Sequence, residues 1–289
     1  MEHSACIGPR GLILGGDAHL RFPWWSFSKT VIAACAMLLV EDGRLDLDTP
    51  QDGMTLRQLL GHRAGLPDYG GLPDYHAAVA RGDTPWSRDR IIAAAGAPLF
   101  PPGKGWSYSN IGTMLARDRI ETAAGCDLGQ LVATRIAGPL GLDSVRLATT
   151  PQDFAGLGFE AQGYDPGWVY HGCLSGTAQD AARLLHGLMT GTVLRSATLA
   201  MMCETHPLGG ALPGRPWTGT GYALGLMSGQ MGALRAMGHT GAGPFSTCAV
   251  YHFPELTCTV ACFTPDTGAG TAETAALTLA LDQSRARST

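Results

Sequence analysis

Strand-like and helix-like hydrophobic patterns divide this chain in a way that restricts its possible folds. Two short β-like runs, residues 5–7 and 11–14, lie near the N-terminus and are broken by Gly8-Pro9 and Gly15-Gly16. Near the other end, apolar residues recur with a period of two. The predicted strands of that region span residues 222–228, 234–237, 246–253 and 257–263. Strands at both ends predict one antiparallel sheet assembled from the two termini, with flanking helices.

The sequence between these strands has mainly helical periodicity, with apolar residues three and four positions apart. The predicted helices span residues 26–41, 56–60, 88–95, 110–124, 128–136, 177–189 and 272–281. We therefore expect an α+β fold, an α/β sandwich, in a single domain of residues 1–289. In this prediction residues 46–149 form an inserted all-helical lobe, and residues 1–45 and 150–289 form the α/β lobe.

A short duplication lies inside the predicted helical lobe. The run Gly65-Leu66-Pro67-Asp68-Tyr69 recurs, one residue later, as Gly71-Leu72-Pro73-Asp74-Tyr75. Pro-Asp pairs favour turns. We interpret the repeat as a slipped copy in a surface loop.

Charge and hydropathy exclude several classes of partner. The chain has a formal net charge of -4 and no run of basic residues, which argues against nucleic acid. The longest apolar run, residues 31–40, is half the length needed to cross a bilayer, so it predicts a buried helix and no membrane partner. The first residues lack the pattern of a secretory signal, and a cytoplasmic protein is expected.

The cysteines do not indicate a metal site. None of the 8 cysteines forms a Cys-x-x-Cys pair, and His171-Gly172-Cys173 lacks a second ligand pair at zinc-site spacing. Without an export signal, free thiols are expected. We predict no metal and no cofactor, and the sequence leaves the oligomeric state open.

The run Ser26-Phe27-Ser28-Lys29 indicates nucleophilic chemistry. A serine hydroxyl needs a base to take its proton as it attacks a carbonyl. Three-residue spacing on a helix places Ser26 and Lys29 on one face, and burial lowers the pKa of a lysine. Only Lys29 and Lys104 are lysines among the 20 basic residues. A lysine three positions after a serine is therefore rarer by chance in this chain than in most. The alternative is a capping serine beside a solvated lysine.

Two later runs connect this pair to a family. Tyr108-Ser109-Asn110 follows the first run, and His239-Thr240-Gly241 lies in the predicted C-terminal sheet. In this order the three runs resemble the serine β-lactamase and penicillin-binding protein superfamily. The Tyr-x-Asn form resembles its branch of class C β-lactamases, D-alanyl-D-alanine carboxypeptidases, D-aminopeptidases and family VIII esterases. The segments between the runs that also match this branch are residues 59–67, 101–103, 139–142 and 238–245.

The resemblance implies a β-lactamase/transpeptidase-like fold and catalytic roles for three residues. Ser26 would form an acyl-enzyme, and Lys29 would take its proton or hold the network that does. Tyr108 would be the partner base, as phenolate or through Lys29, protonating the leaving group and later activating water. Asn110 would hydrogen-bond a substrate amide or the Lys29 ammonium.

The resemblance also implies substrate-binding or supporting roles, which fall on Asn110, His239, Thr240 and Gly241. His239 would polarise Tyr108 or meet an anionic substrate group. The oxyanion hole would consist of the backbone N–H groups of Ser26 and Ala242. Glycines on either side of Ala242 would let the strand approach the ligand closely.

Two departures from the family pattern affect specificity. Trp24-Trp25 precede the nucleophile where a small residue is usual, and we expect packing rather than a pocket wall. His239 stands where lactamases commonly have lysine, and an unperturbed histidine is mostly uncharged near neutral pH.

The leading prediction is therefore a serine hydrolase acting on a small-molecule ester or amide, of esterase or D-amino-acid amidase or peptidase type. The alternative within the family is β-lactamase or D-Ala-D-Ala carboxypeptidase activity. The alternative from another class is a non-catalytic binding or scaffold protein that retains the fold.

Overall fold

The computed structural model describes residues 2–159, 161 and 163–285. Its strands are β1 (His3–Gly8), β2 (Gly11–Gly15), β3 (Arg21–Pro23), β4 (Arg146–Ala148), β5 (Cys173–Thr177), β6 (His206–Gly209), β7 (Trp217–Tyr222), β8 (Met227–Met231), β9 (Leu234–Ala242), β10 (Thr247–Phe253) and β11 (Cys258–Thr264). Its helices are α1 (Ser28–Glu41), α2 (Leu56–Leu60), α3 (Pro73–Ala80), α4 (Arg88–Ala95), α5 (Asn110–Ala124), α6 (Leu128–Val132), α7 (Gly138–Leu140), α8 (Pro151–Phe154), α9 (Ala178–Met189), α10 (Ser196–Met202) and α11 (Ala269–Arg285).

An antiparallel sheet of 8 strands forms the centre of the molecule, in the order β2-β1-β11-β10-β9-β8-β7-β6. Strand β1 pairs with β11, from His3 opposite Phe263 to Ile7 opposite Thr259. The N-terminal strands therefore complete a sheet whose other strands come from the C-terminal third. This confirms the predicted α+β architecture and the joining of the two termini in one sheet.

The two faces of the sheet pack against different helices. On β10, Cys248 and Val250 belong to the core that includes α1 and α9. The alternate residues Ala249 and Tyr251 belong to a second core with Ala272, Ala276 and Ala280 of α11. The period-two pattern of this strand thus reflects burial on both of its faces.

Helix α1 is buried along almost its whole length, as its apolar run predicts. Within the part of the chain that the structure describes, no helix combines the length and apolarity required to cross a membrane.

A second sheet, in the order β3-β5-β4, holds the start of α1 in place. The backbone N–H of Trp24 donates to the Leu174 carbonyl at 2.7 Å. The Leu174 N–H in turn donates to Ser28 Oγ at 2.9 Å. Residues on either side of Ser26 are therefore fixed to β5.

Several predicted elements have other bounds in the structure. The strand predicted at 222–228 is wrong over residues 223–226, where Ala223, Leu224 and Leu226 bury their side chains in the turn between β7 and β8. The strand predicted at 234–237 continues to Ala242 in the structure. The second half of this strand is polar and glycine-rich, so it lacks the alternating apolar pattern from which a strand is predicted. The helix predicted from residue 26 begins at Ser28 and is preceded by a 3-10 turn, Trp25–Phe27.

The duplicated segment is not a surface loop throughout. In its first copy Tyr69 is only 3% exposed and packs with Ile91, Ile111 and Met114. In its second copy Pro73 starts helix α3, where its missing N–H is tolerated. The surface-loop prediction is therefore wrong for Tyr69. This side chain is buried in a hydrophobic cluster whose other members are distant in sequence.

Candidate active site

Ser26 lies in the 3-10 turn that leads directly into α1. The preceding residue, Trp25, has a φ of 44°, in the left-handed region that non-glycine residues rarely adopt. Such a conformation costs about 1–3 kcal/mol and persists only where surrounding contacts hold it. Here the Trp25 indole Nε1 donates to Ser246 Oγ at 3.0 Å. This turn presents Ser26 to two adjoining cavities.

Lys29 lies on the next turn and is 1% exposed. Its Nζ is 3.1 Å from Ser26 Oγ, 2.6 Å from Asn110 Oδ1 and 3.1 Å from His171 Nε2. Burial lowers the pKa of Lys29 from 10.5 to about 7, and the negative charge of Asp68 partly opposes this shift. A substantial fraction of Lys29 is therefore neutral near pH 7 and able to accept a proton from Ser26.

Tyr108 approaches Ser26 from another side. Its hydroxyl donates to Ser26 Oγ at 2.8 Å. Burial raises the pKa of Tyr108 well above its ordinary value, while the bond to Ser26 partly opposes the shift. Of the two routes that the sequence leaves open, this favours a neutral phenol working with Lys29 over a resting phenolate.

Asn110 begins helix α5 and is held by Asp68. Asp68 Oδ1 accepts from the Asn110 backbone N–H at 2.8 Å, and Oδ2 accepts from the Asn110 side-chain Nδ2 at 3.2 Å. Because the amide nitrogen faces a carboxylate, the amide oxygen faces Lys29. The structure thus places Asn110 against the lysine, one of its two expected partners.

His239 has protein partners at both ring nitrogens. Its Nδ1 lies 2.7 Å from the Thr240 carbonyl, which can only accept, so Nδ1 carries the hydrogen. Its Nε2 lies 2.9 Å from the Tyr222 hydroxyl. Burial lowers the pKa of His239 to about 3, and the ring is neutral at physiological pH. The ring lies beside that of Tyr108, 6.2 Å between centroids, but its hydrogen bonds go elsewhere.

A second histidine completes this arrangement. His62 Nδ1 accepts from the Ser109 backbone N–H at 3.2 Å, which places the hydrogen of this ring on Nε2. That Nε2 lies 3.1 Å from the same Tyr222 hydroxyl. Hydrogen bonds therefore run in one direction, from His62 through Tyr222 to His239.

The Thr240 hydroxyl points into a buried network behind the cavity. It lies 2.6 Å from the Tyr251 hydroxyl and donates to the carboxylate of Glu273, which is completely buried. Glu273 also binds Arg215 and accepts from Trp217 Nε1 at 3.1 Å. Thr240 lines the larger cavity, yet its hydroxyl hydrogen is engaged with Glu273.

Strand β9 runs close against the nucleophile turn at Gly241. A Cβ at Gly241 would lie 2.5 Å from the Trp24 carbonyl oxygen and 2.8 Å from the Ser26 nitrogen, so only glycine fits. The close approach that this glycine permits is to the protein's own backbone. It brings Ala242, the last residue of β9, beside Ser26, and both line the two cavities.

The two cavities meet at Ser26 and differ in the residues that line them. The smaller has a volume of about 290 Å³, and its aromatic lining consists of Trp25, Tyr69, Tyr75, Tyr164 and Trp168. The larger has a volume of about 910 Å³ and includes Asp68, Arg215 and His239 in its lining. Ser26, Gly70, Asn110 and Ala242 line both.

The two tryptophans before the nucleophile have different environments. Trp24 is fully buried, and its Nε1 donates to the Gly176 carbonyl at 3.3 Å. Trp25 packs with Tyr164 and Phe245 and also forms one wall of the smaller cavity. Trp24 thus packs in the core, as expected. Trp25 both packs and lines the smaller cavity.

Several residues that contact this site were not predicted from the sequence, among them Asp68, His62, Tyr222 and His171. Asp68 directly follows the family-like segment 59–67, which is the one local signal for it. His62 lies within that segment, whereas Tyr222 and His171 come from distant segments that meet only in the folded chain.

Comparison with known proteins places the chain in a family. Residues 16–284 match the family model described as Beta-lactamase. The chain belongs to the beta-lactamase family. This beta-lactamase-family protein is 33% identical to penicillin-binding protein 4* of Bacillus subtilis over 135 residues, 42% of this chain and 29% of that protein. It is 32% identical to a D-aminopeptidase of Cereibacter sphaeroides over 138 residues, 44% of this chain and 27% of that protein. These matches span less than a third of either relative.

Solved structures resemble the family member over nearly its whole length. A D-stereospecific amidohydrolase from Streptomyces sp. superposes with a TM-score of 0.77 at 24% identity, covering 93% of this chain and 90% of that one. The D-amino acid amidase from Ochrobactrum anthropi SV3 gives 0.77 at 23% identity, covering 93% and 89%. These likenesses confirm the β-lactamase/transpeptidase-like fold.

Proposed function

We propose that this protein is a serine hydrolase that forms an acyl-enzyme on Ser26 and cleaves a small ester or amide. The observation that carries the proposal is the position of Ser26 Oγ, 3.1 Å from Lys29 Nζ and 2.8 Å from the Tyr108 hydroxyl. A base and a proton donor on either side of one nucleophile supply what both halves of acyl transfer require.

Acylation begins with neutral Lys29. It takes the Ser26 proton as Oγ attacks the substrate carbonyl, and the backbone N–H groups of Ser26 and Ala242 bind the developing oxyanion. Collapse of the intermediate breaks the bond to the leaving group, which receives the Tyr108 proton. The Lys29 ammonium then returns a proton to the phenolate. Both residues end the step as they began.

Deacylation repeats these transfers with water in place of the leaving group. Tyr108, with Lys29, takes a proton from the water as its oxygen attacks the acyl carbonyl. Ser26 Oγ leaves and recovers a proton from the same pair. The acid is released and the site returns to its starting protonation state.

The smaller cavity favours an acyl group with an aromatic or bulky apolar side chain. Its volume of about 290 Å³ and its aromatic walls match the apolar, partly enclosed character of small-molecule sites. The Ochrobactrum amidase, a structural neighbour, has been solved with L-phenylalanine amide. We infer that amino-acid amides or esters with such side chains, of D configuration by analogy with the named relatives, are the substrates.

The larger cavity is poorly suited to bind the carboxylate of a β-lactam through a free cation. Arg215, the arginine in its lining, is paired with Glu273. His239, which stands where lactamases commonly have lysine, is neutral because burial lowers its pKa. A substrate carboxylate therefore lacks an obvious positive partner in this part of the site.

Turnover of a defined panel tests the proposal. D-phenylalanine amide, L-phenylalanine amide, p-nitrophenyl acetate and nitrocefin are offered to the wild type and to Ser26→Ala. Cleavage of an amide or ester that disappears in Ser26→Ala supports it. Preferential hydrolysis of nitrocefin would identify a β-lactamase instead. Absence of all turnover, with a stable protein partner in a pull-down, would favour the non-catalytic alternative.

A further inference from the structure

His171 contacts Lys29 but has no part in the steps described above. It is 3% exposed, and only Gly172 separates it from the start of β5. Its Nε2 lies 3.1 Å from Lys29 Nζ, whereas its Nδ1 is buried and finds no partner among residues 2–159, 161 and 163–285. Buried polar atoms are usually paired. The contact with Lys29 is therefore the main polar interaction that this histidine supplies.

We propose that His171 is a positioning residue that turns the lone pair of Lys29 toward Ser26. The inference rests on the proposed role of Lys29 as the base. A tetrahedral amine has four directions, of which one is its bond to Cε. Three groups lie within hydrogen-bonding distance of Lys29 Nζ, one for each remaining direction, namely Asn110 Oδ1, His171 Nε2 and Ser26 Oγ. When the first two both accept, the N–H bonds of the neutral amine are committed and its lone pair faces the Ser26 hydroxyl.

The order of protonation determines which nitrogen of His171 carries hydrogen. Burial and the positive charge of Lys29 lower the pKa of His171 well below 6.5, whereas the pKa of Lys29 is about 7. Lys29 therefore takes the proton first, and beside an ammonium Nε2 must accept. The ring hydrogen is then on Nδ1, where no described residue can remove it. The same tautomer persists when Lys29 becomes neutral.

The other titratable groups that face this pair are Asp68, Cys173, Tyr108, His62, His239 and Arg117. Burial lowers the pKa of both other histidines and raises the pKa of the thiol and the phenol, so these four are neutral near pH 7. Arg117 is paired with Glu121 at 2.9 Å, and the Asp68 carboxylate favours the ammonium. Of the shifted groups around His171, Lys29 is the one that titrates near neutral pH.

The test observes Lys29 directly. Lys29 and Lys104 are the only lysines, so protein labelled with [ε-13C]lysine gives one NMR signal from the site and one from an exposed reference. Titrations compare the wild type, His171→Leu and His171→Gln. The glutamine oxygen can accept where Nε2 accepts but does not titrate. His186→Leu, which removes a histidine bound to Thr259 on another part of the sheet, is the matched control.

An acceptor stabilises the ammonium, so its removal by His171→Leu should lower the Lys29 midpoint by about half a pH unit or more. Labelling of Ser26 by a fluorophosphonate at its high-pH plateau should also fall about tenfold, because the lone pair is no longer directed. His171→Gln should retain the midpoint and at least about a third of the labelling rate. His186→Leu should change neither.

An unmoved Lys29 midpoint with labelling within about twofold in His171→Leu would overturn this inference alone. If that variant does not fold, His171→Gln decides: loss of labelling by more than about tenfold in a native-like protein overturns the inference, and retention supports it. A wild type that forms no Ser26 adduct overturns the proposed function and this inference with it.

Discussion

Asp68 Oδ2 accepts a hydrogen bond from Asn110 Nδ2 at 3.2 Å, and this bond turns the Asn110 amide oxygen toward Lys29. A residue of the duplicated segment thereby determines which atom of Asn110 faces Lys29. The second copy of that segment provides its own comparison, since Asp74 is exposed in the first turn of α3.

Replacement of Asp68 by asparagine should misdirect Asn110. An amide nitrogen at position 68 would face the Asn110 amide nitrogen, so Asn110 would flip and present NH₂ to Lys29. We expect acylation by p-nitrophenyl acetate to fall by about tenfold or more, as small misplacements in an active site do. Burst kinetics of Asp68→Asn measure this, with Asp74→Asn as the matched control. Equal rates in the two variants would show that Asp68 does not orient the amide.

The pH dependence of acylation should follow Lys29. Because its pKa is lowered to about 7, the neutral base accumulates as pH rises through 7, and the rate should increase and then level off. Lys29→Arg should lose nearly all activity, since guanidinium stays protonated. Stopped-flow acylation between about pH 5 and 9 provides the profile. Retained activity in Lys29→Arg would transfer the base role to Tyr108.

The same lysine should destabilise the fold. Its folded pKa of about 7 is below the ordinary 10.5, so the unfolded chain binds more protons between these values and stability rises with pH across that window. Below pH 7 the penalty is fully present, on the order of 2–5 kcal/mol. Lys29→Met should therefore unfold at higher urea concentration than the wild type at pH 6. Lys104→Met is the control, and a less stable Lys29→Met would contradict the assignment.

Tyr222 should stabilise the protein through the two histidines that it joins. Tyr222→Phe leaves His62 Nε2 and His239 Nε2 without their shared partner in a buried site. Unpaired buried groups cost about 1–3 kcal/mol each, so we expect a loss of that order in the free energy of unfolding. Tyr170→Phe, which removes one bond to the Trp86 carbonyl, should cost less. Similar urea midpoints for both variants would argue against a continuous chain from His62 to His239.

Local spacing together with the family resemblance predicts the residues at the centre of the site. The three-residue interval from Ser26 to Lys29 reflects helical geometry, and the structure brings Tyr108 and Asn110 within hydrogen-bonding distance of that pair. The joining of the termini in one sheet could also be predicted, because the period of two in the C-terminal third is a strong signal of β-strands.

The contacts that could not be predicted from the sequence depend on long-range packing. His171 reaches Lys29 from a segment whose local pattern gives no sign of this contact. Asp68 reaches Asn110 with only its place after the segment 59–67 as a signal. The engagement of His239 with Tyr222 depends on the register of β7, β8 and β9. Apolar Leu224 looks like strand but lies in a turn, where Gly225 packs against the backbone of Lys29. In each case a tertiary contact overrides the local preference.

The intact mass of the protein after incubation with a fluorophosphonate shows whether Ser26 forms a covalent intermediate. We expect a single covalent adduct that maps to Ser26, forms more slowly below pH 7 and is absent in Ser26→Ala. A wild type without an adduct, or an equal adduct in Ser26→Ala, would contradict this expectation.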